Sequence, residues 1–202
     1  VLTYTPRGWL DTTTTDGKTT DYDYYANGLI ETVTLADGSW LHYDYDDAQR
    51  LTDITDNHGN TIHYTLNAMG GKESVEIKDD QAVLHQTSTA LYDELNRLKQ
   101  AFGARTTQEE TVYDYDDNGN IETITDPLDR ITENVYNGLD QVTDTIYKDS
   151  DDSTIGSVTM TYDDWGNIKT VEDLNDNVTT YTYNALGDLN TIISPDTGTT
   201  QI

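Results

Sequence analysis

The 202-residue chain has no cysteine. That excludes a disulfide scaffold and a thiolate metal site, although it does not fix the compartment. Phenylalanine occurs once and proline three times. No apolar run approaches the ~20 residues that a membrane-spanning helix needs, so no membrane insertion is expected. The first residues, Val1-Leu2-Thr3-Tyr4, show no basic stretch followed by an apolar one, so no signal peptide is read there. Basic residues are also few, 11 against 38 acidic ones, for a net charge of −27. Such a surface repels phosphates, which makes nucleic acid and anionic membranes poor partners. It suits a saline or extracellular setting, where screening over roughly 8 Å limits self-repulsion.

What the chain does have is threonine, 15 tyrosines and a regular beat. Threonine and tyrosine favour strands. Tyrosine-type positions fall at Tyr4, Tyr24, Tyr45, Leu66, Tyr92, Tyr115, Tyr136, Tyr162 and Tyr183, in steps of 20 to 26 residues. A period of this length means one supersecondary unit copied along the chain. The chain starts and stops within a unit, which predicts a segment of a longer protein.

The residue after each tyrosine position is usually acidic or an amide, as in Asp46, Asn67, Asp93, Asp116, Asn137, Asp163 and Asn184. Four residues after it stands Gly8, Gly28, Gly70, Gly119, Gly166 or Gly187, replaced elsewhere by Gln49, Asn96 and Asp140. Asp or Asn first and Gly fourth marks a type I turn, with the fourth residue supplying the left-handed position of a bulge. Asn and Asp also tolerate that conformation, whereas Gln49 fits it less well. Pro6 stands second in its turn, where its fixed φ belongs.

An aliphatic residue follows six after most of the tyrosines, for example Ile30, Leu51, Ile121 and Ile168, and another nine after, for example Val33, Ile54, Ile124 and Val171. A second aromatic precedes by two in five units: Tyr22, Tyr43, Tyr64, Tyr113 and Tyr181. A spacing of two puts both rings on one strand face. The aliphatic spacing of three is odd: either a bulge resets the register, or both faces are partly covered. Each unit reads as strand, turn, strand, turn, giving about eighteen strands in an antiparallel meander. Residues 1–202 are expected to form a single array, with longer loops near 72–85 and 148–156 where the beat stretches. Ala90 to Phe102 competes as a helix through Leu91, Leu95, Leu98 and Phe102. The register of Tyr92, Asp93 and Leu98 with the other units favours strands.

Tyr115-Asp116-Asp117-Asn118-Gly119-Asn120-Ile121 and Tyr183-Asn184-Ala185-Leu186-Gly187-Asp188-Leu189 resemble the YD repeat of the RHS family, as does Tyr45-Asp46-Asp47-Ala48-Gln49-Arg50-Leu51. The resemblance runs from Tyr4 to Ile202. It implies an all-β chain of about nine β-hairpin repeats in a curved, spiralling sheet, a segment of a hollow shell. Bacterial members of the family enclose a toxic C-terminal domain, and related shells in teneurins support adhesion. Implied partners are therefore the remainder of the shell and an enclosed C-terminal toxin domain, from a secreted or cell-surface bacterial protein. The family's self-cleaving aspartate core and toxin domain have no match here. Strands at ~4.8 Å spacing give roughly 85 Å of sheet, enough for a wall but not for a cargo-holding ring.

On this reading the repeat tyrosines (Tyr4, Tyr24, Tyr45, Tyr92, Tyr115, Tyr136, Tyr162, Tyr183) and the turn glycines are structural, and the tyrosine ladder is expected as the buried layer of the sheet. Other chemistry is thin. Asp114, Asp116 and Asn118 match the start of a calcium loop, but the twelfth position, which needs a bidentate Glu, holds Thr125. No carboxylate pair stands out as catalytic, and no cofactor motif is present. His42 and His63 occupy equivalent places, which favours a strand-face role. Trp9, Trp40 and Trp165 lie off the aromatic positions and are a sugar-stacking surface if exposed, so a glycan or cell-surface partner is the alternative. Unpaired edge strands predict self-association.

Overall fold

The computed structural model describes residues 1–103 and 109–202, and it contains strands and turns only. These residues form two compact units, Val1–Glu109 and Glu110–Ile202. The first holds β1 (Leu2–Tyr4), β2 (Leu10–Thr15), β3 (Lys18–Tyr24), β4 (Ile30–Thr34), β5 (Trp40–Tyr45), β6 (Leu51–Asp56), β7 (Thr61–Leu66), β8 (Lys72–Lys78), β9 (Leu84–Tyr92) and β10 (Leu98–Phe102). The second holds β11 (Glu110–Tyr115), β12 (Ile121–Thr125), β13 (Ile131–Tyr136), β14 (Val142–Lys148), β15 (Thr154–Tyr162), β16 (Ile168–Glu172), β17 (Val178–Tyr183), β18 (Leu189–Ser194) and β19 (Gly198–Gln201). Within each unit every strand pairs antiparallel with the next, from β1 to β10 and from β11 to β19. The segment with helical spacing is β9, a turn and β10.

A β-bulge resolves the odd aliphatic spacing. Tyr22 stands opposite Val33 and Asp23 opposite Thr32, but Tyr24 stands opposite Ile30, so Glu31 is the extra residue. Tyr43 likewise faces Ile54 and Tyr45 faces Leu51, with Thr52 skipped. Tyr113 faces Ile124 and Tyr115 faces Ile121, with Glu122 skipped. One unpaired residue shifts the alternation by one, so aliphatics three apart share the face of tyrosines two apart. The opposite face carries polar pairs such as Asp44–Asp53 and Thr161–Thr170.

Two expectations are corrected. No apolar side chain among the described residues is fully buried. The tyrosines of the ladder are half-buried, and Tyr4 is 59% exposed. One layer of sheet has nothing stacked on it, so each ring is sheltered only by its neighbours in the plane. In place of the longer loops expected near 72–85 and 148–156 stand longer strands around short turns: β8 and β14 have seven residues each, and β9 and β15 have nine. The added residues lengthen hairpins whose turns, 79–82 and 149–152, keep the ordinary form. Among the described residues nineteen strands form, against about eighteen expected.

The fourth turn residue has positive φ in all nine units, including Gln49 at 64°. Gly187 has φ +85° and open space where a Cβ would stand, whereas at Gly28 (φ +93°) a Cβ would lie 2.9 Å from the Trp9 ring. Gly187→Ala is expected to cost about 1–2 kcal/mol through left-handed strain alone, and Gly28→Ala more, because Trp9 must also move. Urea denaturation of the two variants tests this. Equal losses would show that the Trp9 contact carries no weight.

Candidate functional site

The residues that recur most strictly do not converge on a cleft. They build the turns and the seams between hairpins. In the turn 116–119 the Gly119 N–H donates to the Asp116 carbonyl (3.0 Å) and the Asp116 N–H to the Asn120 carbonyl (2.9 Å). The Asp116 carboxylate closes the loop: Oδ1 accepts from the N–H of Asn118 and of Asn120, and Oδ2 from the Asn120 amide. Asp46, Asp93 and Asp163 do the same with Arg50, Arg97 and Asn167. Asn67, Asn137 and Asn184 offer the same Oδ1 to the two backbone N–H groups. The other edge repeats the device at Asp56, Asp126 and Asp173. One Asp or Asn thus satisfies two otherwise unpaired donors, and this is why the turn so often begins with one of the two.

These bonds stabilise the ionised carboxylate. Asp116, Asp163 and Asp126 lie below the ordinary carboxylate range chiefly through the donors of Asn120, Asn167 and Arg130, with partial burial working the other way. Asp46 and Asp93 are held down first by the backbone N–H groups of Arg50 and Arg97.

The tyrosines form the second device. Near the tyrosine edge adjacent hairpins diverge: β12 and β13 pair only from Thr123–Glu133 outward to Thr125–Ile131, leaving Ile121 without a strand partner on that side. The Tyr136 hydroxyl crosses the gap and donates to the Ile121 carbonyl at 2.7 Å. The same bond joins Tyr24 to Leu10, Tyr92 to Lys72, Tyr162 to Val142 and Tyr183 to Ile168. In each case the acceptor is the residue six after the preceding unit's tyrosine position. The hydroxyl therefore supplies the hydrogen bond that the diverging backbone cannot. Burial raises the Tyr24 and Tyr136 phenols above their ordinary value, which keeps them as donors. The sequence places the ring on the packed face and does not reveal the hydroxyl's acceptor, which lies one unit back in the folded sheet.

Turn-to-turn bonds complete the seam. Arg7 donates to the Ala26 carbonyl (2.9 Å) and Arg50 to that of Asn67 (2.8 Å). Asn67 reaches Asn96, Asn118 and Asn120 both reach Asp140, and Gln141 donates to the Gly166 carbonyl. Arg50, Arg97 and Arg130 pair with Asp46, Asp93 and Asp126.

The calcium-loop residues are put to separate uses: Asp114 accepts from Thr123, Asp116 closes its turn, and Asn118 reaches Asp140. Among the described residues no group of three or more His, Asp or Glu side chains is placed to hold a metal ion. His42 and His63 lie on the polar face, His42 3.4 Å from Asp44 and His63 2.6 Å from Asp53. Trp9 packs on Tyr24 with ring centroids 5.3 Å apart, while Trp165 is 86% exposed.

Repeated tyrosines, carboxylate-closed turns and a one-layer antiparallel sheet define a β-hairpin repeat protein. Residues 162–199 match the RHS Repeat family model. No curated protein matches it. The crystal structure of TcdB2-TccC3-Cdc42 is similar with a TM-score of 0.71 at 15% identity, over 96% of this chain and 11% of that chain. That of TcdB2-TccC3 without its hypervariable C-terminal region is similar with a TM-score of 0.69 at 15% identity, over 95% and 11%. The chain thus spans about a ninth of the length of these structures, and the likeness is one of fold.

Two outcomes are expected. Tyr162→Phe strands the Val142 carbonyl and is expected to cost about 1 kcal/mol, whereas Tyr147→Phe, off the repeat, costs little. Urea melts showing equal losses would remove the seam role. The depressed turn carboxylates contribute fully above their unfolded value of ~3.9 and lose that contribution as pH falls through the lower folded values. The triple variant Asp93→Asn, Asp116→Asn, Asp163→Asn keeps the acceptor without the titration. Its melting temperature is expected to fall less than that of the parent between pH 5 and 2, and an identical acid limb would refute the assignment.

Proposed function

We propose that this chain is a non-catalytic wall segment of an RHS/YD-repeat shell that encloses a C-terminal toxin or other cargo, in a secreted or surface-delivered bacterial protein. The observation that carries the reading is where the repeated side chains go. Turn Asp and Asn close loops, tyrosine hydroxyls join neighbouring hairpins, and Arg and Gln tie turn to turn. This chemistry extends a sheet hairpin by hairpin and gives these repeated residues structural work. The RHS Repeat match and the fold shared with much longer proteins support a segment of something larger. Exposed terminal strands β1 and β19 are suited to pairing with further repeats or with another copy.

An adhesion or glycan-binding module is the second reading, favoured by the exposed indole of Trp165. Limited proteolysis of the intact gene product separates the two. The shell reading expects the region C-terminal to the repeats to resist protease until the repeats are unfolded. Cleavage of that region at the rate of an unfolded control, with specific signals on a glycan array, would replace it by the adhesion reading.

A further inference from the structure

The third residue of a type I turn is ordinarily small or polar. In the second unit three successive turns on the tyrosine edge break that rule. Leu139, Trp165 and Leu186 stand there, 77%, 86% and 87% exposed. Their backbone N–H groups are already taken by the turn residues Asn137, Asp163 and Asn184, so the side chains contribute nothing to loop closure. The turns are neighbours: Gln141 bonds the Gly166 carbonyl across one gap, and a slot of about 220 Å³ lies across the next, between Trp165 and Leu186. The result is an apolar ridge with a notch beside an aromatic anchor, the composition of an interaction hot spot.

The rim identifies the partner's chemistry. Asp140, Asp164 and Asp188 flank the ridge and are exposed. Among the described residues the ion-paired cations of this unit are Arg130 and Lys148, whose partners include Asp126 and Asp152 in turns of the other edge. Lys169 is the remaining basic residue of the unit. Spacing adds a second constraint. Successive turns on one edge are two strands apart, about 9.6 Å or more where the hairpins fan apart. An α-helix repeats a face every seven residues, about 10.5 Å. A strand would need about three residues, an odd step that alternates faces. A second copy of this chain would bring like charge to like charge.

We infer that the Leu139–Trp165–Leu186 edge docks a basic amphipathic helix, with apolar residues of a heptad stripe against the ridge and Lys or Arg over the aspartates. The inference stands on the second unit alone and does not depend on the shell reading.

The test uses the 202-residue chain and a synthetic 21-residue peptide with Leu at heptad spacing between Lys and Arg flanks. A scrambled peptide of equal charge is the control, at 0.15 M salt so that bulk attraction is screened. The heptad peptide is expected to bind at least ten-fold tighter than the scrambled one. Trp165→Ser with Leu186→Ser, exposed turn positions whose folding is checked by circular dichroism, should abolish that difference, and Asp164→Asn with Asp188→Asn should weaken binding and flatten its salt dependence. Equal binding of both peptides, an unaffected Ser variant, or glycan binding lost with Trp165 would each overturn the proposal.

Discussion

A single sheet has no second layer to bury its side chains against, and this constraint shapes the molecule. No apolar side chain among the described residues is fully buried, so stability does not come from a sealed core. It comes from many half-sheltered contacts within the plane and from hydrogen bonds that join each hairpin to the next. The tyrosine hydroxyl bond to the preceding unit, made by Tyr24, Tyr92, Tyr136, Tyr162 and Tyr183, is the clearest of these. Where hairpins fan apart the backbone ladder stops, and a side chain long enough to cross the gap takes over. Tyrosine combines a flat apolar body for the half-buried face with a donor at its tip.

The turns solve a matching problem at the edges. A type I turn with a bulge leaves backbone donors that the strands do not satisfy. A first-position Asp or Asn satisfies two of them, and when it is Asp the donors hold its charge. The acidic composition therefore has a local cause in part: many carboxylates are components of turns. Others, such as Asp140 and Asp164, stand outside that closure and give the tyrosine edge of the second unit its sign. The same edge carries the exposed Leu139, Trp165 and Leu186, so loop closure and surface chemistry are divided among different positions of one turn.

Much of this architecture was legible in the chain. The beat of tyrosines, the Asp or Asn that follows and the fourth-position glycine predicted antiparallel hairpins and their turns, and even the competing helical spacing of Leu91, Leu95 and Leu98 yielded to register. Gln49 read as a poor fit, yet it adopts the same left-handed conformation as the glycines. Neighbouring turn bonds impose that conformation, which one residue's propensity does not reveal. The stretched steps read as loops because spacing alone does not tell a longer loop from a longer strand.

The sequence by itself determined the repeat, the turn type and the alternation of faces, because these depend on residues within a few positions of each other. Tertiary structure decided what the tyrosine hydroxyl bonds to, whether the aliphatic pair shares a face, how far the rings are buried and how exposed each tryptophan is. Those depend on the bulge register and on contacts one whole unit away. Leu66 illustrates the division: its packing role was readable from its class, whereas the hydrogen bond it forgoes has an acceptor that only the assembled sheet brings near.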